Sequence, residues 1–146
     1  MMNHAMNRLI FLLFACASLS ASCTVNADVT QVDDAALKRF LAEGVPIIDV
    51  RTPQEWQETG VIENSHLLMF FDPEGHYDAA AWLEKLAALV EKDQPFVLIC
   101  RSGNRSGMIS QFLDQKVGYT QVHNVTNGIA GWLANGGATV NPGASQ

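Results

Sequence analysis

Apolar residues along this chain alternate between short continuous runs and stripes at helical spacing. Leu37, Phe40 and Leu41 form such a stripe, between Asp33 or Asp34 as a cap and Gly44 as a stop, which predicts a first helix. "VPIIDV" is an unbroken apolar run bounded by Pro46 and predicts a buried strand. Thr52 as cap and Pro53 at the first helical position open a short helix that ends at Gly60. "HLLMFF" reads as a second strand, and "DAAAWLEKLAALVEK" repeats Trp82/Leu83, Leu86 and Leu89/Val90 on one helical face. "PFVLIC" is a third strand, apolar enough for the centre of a parallel sheet. "NRSGMISQFLDQKVG" predicts a helix with Met108, Phe112 and Leu113 on its stripe and Gly118 as its stop. "TQVHNV" gives a fourth strand and "GIAGWLANGG" a last short helix. Strands alternating with helices over short connections predict one α/β domain, a parallel sheet with helices on both faces. Its expected limits are residues 28–137, with 138–146 as a loose C-terminal tail.

The first residues follow another pattern. Arg8 precedes the apolar "LIFLLFACASL", and "VNA" ends at Ala27, the arrangement of a cleavable secretory signal peptide over residues 1–27. The apolar run is too short to span a bilayer, so no stable membrane insertion is expected after cleavage. Neither Cys16 in "LFAC" nor Cys23 in "SASC" fits the usual lipidation pattern. Cleavage changes the charge picture. The whole chain has nine Lys and Arg against fifteen Asp and Glu; losing Arg8 takes the net charge from −6 to −7. Such acidity argues against a nucleic-acid partner, where a basic face is expected. An exported, acidic domain points to a bacterial periplasm. The mature chain keeps one thiol, Cys100, so no internal disulfide can form.

That thiol ends the most apolar strand, at the sheet edge where ligands bind in open α/β folds. "RSGNRS" then turns the chain into a helix, and Gly103 supplies the backbone freedom the turn needs. Amides of the turn and of the first helical residues lack carbonyl partners, so they form a cradle for an anion. A sulfur held there is favoured as thiolate. Arg101 and Arg105 place a positive mouth on a negative protein, suited to a small anion. A buried structural cysteine would not need so polar a surround.

Here the chain resembles a known family. "CRSGNRS" is similar to the active-site loop of rhodanese-type sulfurtransferases. "IIDVRTPQEWQETGVI" resembles that family's early Asp-Val-Arg segment, and "NGIAGWLANGG" its closing Gly-x-x-x-Trp helix. The resemblance runs from about Val32 to Gly137. It implies a rhodanese-like fold and no metal or organic cofactor. It further implies that Cys100 attacks the outer sulfur of a thiosulfate-like anion and keeps it as a persulfide, which a thiol or cyanide then removes. The segment Arg101, Ser102, Gly103, Asn104 and Arg105 would bind the sulfur anion. Arg101 would face the incoming anion and Arg105 brace the loop, while Ser106 can cap the following helix. Asp49 and Arg51 are expected to orient neighbouring loops rather than act as acid and base. One departure stands out: after "ETGVI" the chain reads "ENSHLLMFFDPEGHYD", with His66 where the family has a small residue. The pocket wall from Met69, Phe70 and Phe71, and with it the acceptor, is therefore in question.

Two other functions compete. Cysteine phosphatases, and arsenate reductases with them, use a related cradle, but with five residues between Cys and Arg. Here four separate Cys100 from Arg105, and Ser106 holds the phosphatase position. A loop that short suits a sulfur atom better than a phosphoryl group. The second is a persulfide carrier or docking module with little turnover, which an exposed apolar face at Phe70 and Phe71 would favour. His66, His76 and His123 have no ligand spacing. Trp56, Trp82 and Trp132 are expected in the core, with Trp132 the one that could border the active-site rim.

Overall fold

The computed structural model describes residues 29–144, so the proposed signal segment, with Cys16 and Cys23, lies outside the described residues. Five strands, β1 (Thr30–Val32), β2 (Ile47–Asp49), β3 (His66–Leu67), β4 (Phe96–Ile99) and β5 (Val122–Val125), form one sheet in the order β1-β5-β4-β2-β3. Every pairing is parallel. Four α-helices connect them, α1 (Asp34–Ala42), α2 (Pro53–Thr59), α3 (Ala79–Ala87) and α4 (Asn104–Phe112), and α5 (Gly128–Ala134) follows β5.

Side-chain alternation along the strands divides the core in two. Phe96 and Leu98 of β4 face one side with Ile48, where Trp82 and Leu86 of α3 and Ile109 of α4 cover them. Val97 and Ile99 face the other, against Leu37 of α1 and Ile129 and Trp132 of α5. With both faces covered, β4 has no polar side to show, which is why its sequence is apolar throughout. Among the described residues, no helix is long and apolar enough to cross a membrane.

The helix starts follow local chemistry. Asp33 accepts from the Ala36 amide at 2.8 Å, and Thr52 and Glu55 cap each other's backbone across the start of α2. Several expectations are corrected. β1 is missing from the sequence pattern because "TQV" is a polar three-residue edge, held by its pairing to β5. The second expected strand shrinks to two residues; beyond it the Leu68 and Phe70 amides still bond Asp49 O and Val50 O at 2.9 and 3.2 Å, while the Leu68 carbonyl accepts from Trp82 Nε1. α3 ends at Ala87 rather than running to Lys92, its last turn tightening as Leu89 N bonds Leu86 O. On α4 the buried stripe is Ile109 and Leu113; Met108 is 57% exposed, and a π-helical turn, Leu113–Val117, closes the helix before Gly118. The expected loose tail begins with residues tied to the domain. Val140 and Val61 exchange backbone hydrogen bonds of 2.8 and 2.9 Å, and Trp132 Nε1 donates to Ala138 O. Trp132 is thus held in the core beside the C-terminal segment rather than at the rim.

Candidate active site

Cys100 follows the last residue of β4, at the carboxyl edge of the sheet, with 1% of its surface exposed. Its sulfur accepts hydrogen bonds from the Gly103 amide and the Ser106 hydroxyl, each at 3.2 Å. α5 accounts for this orientation. The amides of Ile129 and Ala130 donate to the carbonyls of Cys100 and Arg101 at 2.9 and 3.0 Å. With those carbonyls drawn toward α5, the Gly103 amide is the one in the turn that reaches the sulfur. Asn104, Arg105 and Ser106 are the first three residues of α4, whose amides have no intrahelical acceptor. The result is a concave array of N–H dipoles that favours negative charge at its centre.

Two glycines make the packing possible. Gly103 has φ +89°, and a β-carbon there would meet the Thr126 carbonyl oxygen at 2.1 Å. Gly128 has φ +57°, and a β-carbon would lie 2.5 Å from the Cys100 carbonyl oxygen. No side chain fits either place without moving backbone. Asn124 on β5 completes the support: its side-chain amide donates to Gly103 O at 3.2 Å and to Gln31 Oε1 at 2.8 Å. The sequence pattern did not single out Asn124, whose only signal is a polar residue inside an apolar strand.

The other expected residues separate into distinct places. Arg105 is a brace, its guanidinium holding Glu55 through bonds of 2.9 and 2.5 Å and so joining α4 to α2. Arg101 is exposed and forms no ion pair among the described residues, leaving its charge free at the mouth. Ser102 and Asn104 have exposed side chains and can contribute only backbone amides to the cradle. Ser106 departs from its expected part. Gly103 occupies the cap position, while Ser106 lies one turn further in, fully buried, its hydroxyl reaching the sulfur or the Gly103 carbonyl at 3.3 Å. Ser106→Ala is therefore expected to leave the fold intact and, under the function proposed below, to slow sulfur loading of Cys100 by about tenfold, the worth of one hydrogen bond to a charged group. Stopped-flow measurement of the loading step reads this directly.

Asp49 and Arg51 are both buried and do not touch Cys100. Arg51 pairs with Asp49 through Nε at 2.9 Å and Nη2 at 2.6 Å, and donates to Thr59 Oγ1 at 2.7 Å and Gly60 O at 3.0 Å. They fasten α2 to the end of β2, which in turn places Glu55 for Arg105. Partial burial alone would raise the Glu55 carboxyl, but the hydrogen bond from Arg105, those from Thr52 and the Arg105 charge outweigh it and lower it from 4.5 to about 2. A depressed carboxyl contributes stability that is complete above its unfolded value and lost as pH falls through the folded one. Between pH 4.5 and about 2 the protein should lose this contribution, on the order of 1 kcal/mol for a partly exposed pair. Urea melts across that range should show a shallower pH dependence in Glu55→Gln.

Beside the Cys100 loop lies a mouth, a cavity of about 650 Å³ that the loop enters through Arg101 and Arg105 and that Thr52, Glu55, Phe71 and Met108 also border. Among the described residues, no three His, Cys, Asp or Glu side chains cluster as a metal site.

Comparison with known proteins gives the class first. The rhodanese-like domain model matches residues 33–135. The chain is 31% identical over 116 residues to a protein of Allochromatium vinosum named a sulfurtransferase, covering 78% of this chain and 97% of that one. It is also 31% identical over 116 residues to the mitochondrial protein HIGH ARSENIC CONTENT 1 of Arabidopsis thaliana, covering 79% and 68% of the two chains. The crystal structure of a rhodanese-related protein from Thermoplasma volcanium superposes with a TM-score of 0.58 at 28% identity, over 76% of this chain and 97% of the other. The chain belongs to the rhodanese-like domain family, and its five-stranded α/β sheet is that family's fold.

Proposed function

We propose that this protein is a sulfurtransferase that carries a sulfane sulfur on Cys100 between a thiosulfate-like anion and a thiol or cyanide. The observation that carries the reading is the arrangement around the Cys100 sulfur: a backbone amide and a hydroxyl at 3.2 Å, inside the helix-terminus cradle. Family membership and the sulfurtransferase-named relative support the class of reaction.

The chemistry follows as double displacement. Thiosulfate enters at the mouth, where the exposed charge of Arg101 offsets its own. The Cys100 thiolate attacks the outer sulfur, the S–S bond of thiosulfate breaks, and sulfite leaves with the electron pair. Cys100 now carries a persulfide, whose terminal anion takes the place in the amide cradle. An acceptor thiolate or cyanide attacks that terminal sulfur and regenerates the Cys100 thiolate, so charge and electrons balance in both halves. Phosphoryl or arsenate chemistry is less well served. Arg105, the only arginine near the usual spacing, has its guanidinium committed to Glu55. A carrier without turnover would be favoured by an exposed apolar face; Phe70 is 8% exposed and Phe71 half-buried, while Tyr77 and Met108 beside them are open, so turnover with cyanide is what separates the two readings. We place the reaction in the periplasm, after removal of residues 1–27, on the signal-like pattern of that segment.

The test is intact-mass spectrometry of the protein after incubation with thiosulfate. Gain of one sulfur atom that disappears on adding cyanide, with thiocyanate formed, is the expected result. Sulfur gain without turnover would favour the carrier, and no gain would overturn the proposal.

A further inference from the structure

Next to the mouth lies a second concavity of different character. It holds about 510 Å³, within the range of small-molecule sites, and its wall is Phe70, Phe71, Tyr77, Met108, Ile109 and Phe112. The aromatic members are ordered against one another. Phe70 and Phe71 meet edge to face at 4.8 Å, and Tyr77 stacks on Phe70 at 5.2 Å. Two wall residues are unusually bare for their type, Tyr77 at 60% and Met108 at 57% exposed. The groove adjoins the mouth, because Phe71 and Met108 border both cavities. Thiosulfate, small and polar throughout, makes no use of such a wall.

The charges nearby narrow the occupant. Charges of both signs lie around the groove, Asp72, Glu58, Arg101 and Arg105 at the mouth and Asp72, Asp78 and Lys85 with Tyr77 in a neighbouring cavity. The groove wall itself carries no charged side chain, so it offers a charged body no partner in exchange for its water, while Arg101 remains available to the sulfur anion of the first half-reaction. We propose that the sulfur acceptor is a thiol on an uncharged apolar body, aryl or branched alkyl, which seats in this groove and directs its sulfur past Phe71 and Met108 toward the Cys100 persulfide. This rests on the sulfurtransferase reading and names its acceptor class. The transfer itself is balanced: the acceptor thiolate bonds to the terminal sulfur, the Cys100 S–S bond breaks, and its electrons return to the Cys100 sulfur.

The experiment preloads Cys100 with sulfur from thiosulfate, then follows loss of the persulfide with alkyl thiols of matched thiol acidity and rising chain length, alongside a carboxylate-bearing thiol. The rate constant per acceptor concentration should rise by up to about fourfold for each methylene buried in the groove. The carboxylate-bearing thiol should fall below its neutral counterpart. Tyr77→Ala should flatten the chain-length dependence, and Ala79→Trp, at a position that also lines the groove and so fills it, should remove it, with thiosulfate loading unchanged in both. Rates independent of chain length, or faster with the anionic thiol, in protein that loads sulfur normally would overturn the inference alone. Failure to load sulfur from any donor would overturn the function and this acceptor with it.

Discussion

Cys100→Ser should take sulfur loading from thiosulfate to background, with no mass gain and no thiocyanate on adding cyanide. Serine nearly preserves volume and can accept the same hydrogen bonds from Gly103 and Ser106, so the loop should keep its shape. What disappears is the reacting atom. An alkoxide is far harder to form than a thiolate, and oxygen cannot hold sulfur as a persulfide. Because the replaced residue is a small buried side chain in an otherwise unaltered core, the melting transition should stay close to that of the parent protein. Loss of activity together with loss of fold would indicate a structural part for Cys100 instead. Residual sulfur gain in the variant would move the chemistry to another residue.

The second large effect is on stability. Asp49→Ala should destabilise the domain by about 3–5 kcal/mol, since it leaves the guanidinium of Arg51 buried without its carboxylate. Arg51 keeps only neutral acceptors, Thr59 Oγ1, Gly60 O and, at 3.3 Å, Glu55 O. Replacing both partners with apolar residues of similar size, Asp49→Leu with Arg51→Met, should recover most of the loss, because no uncompensated charge remains. Equilibrium urea unfolding of the two variants checks both statements. A destabilisation below about 1 kcal/mol for Asp49→Ala would mean that water reaches Arg51 and that the pair is not a buried fastener.

Where the sequence was readable, the reason was a local rule strong enough to stand alone. β4 was legible because a strand covered on both faces leaves no room for a polar residue, and α2 because Thr52 and Pro53 encode its start and Gly60 its stop. The loop from Cys100 to Ser106 was legible because so many polar residues between a strand and a helix have no use in a core. What escaped depended on distant partners. β1 exists through its pairing with β5, more than ninety positions away. Asn124 supports the loop from another strand, and Met108 looked like core on helical spacing until the neighbouring helix surface proved to be an open groove. Ser106 was placed correctly at the start of the helix, but the helix begins at a glycine in a left-handed conformation, so the hydroxyl was free to turn to the sulfur.

The depth of the sulfur has a bearing on how this thiol meets oxidants and other thiols. With 1% of Cys100 exposed, two copies of the protein cannot bring their sulfurs to bonding distance without opening the loop. Burial this deep should slow bulky alkylating reagents more than slender ones, a selection by girth before any charge is read.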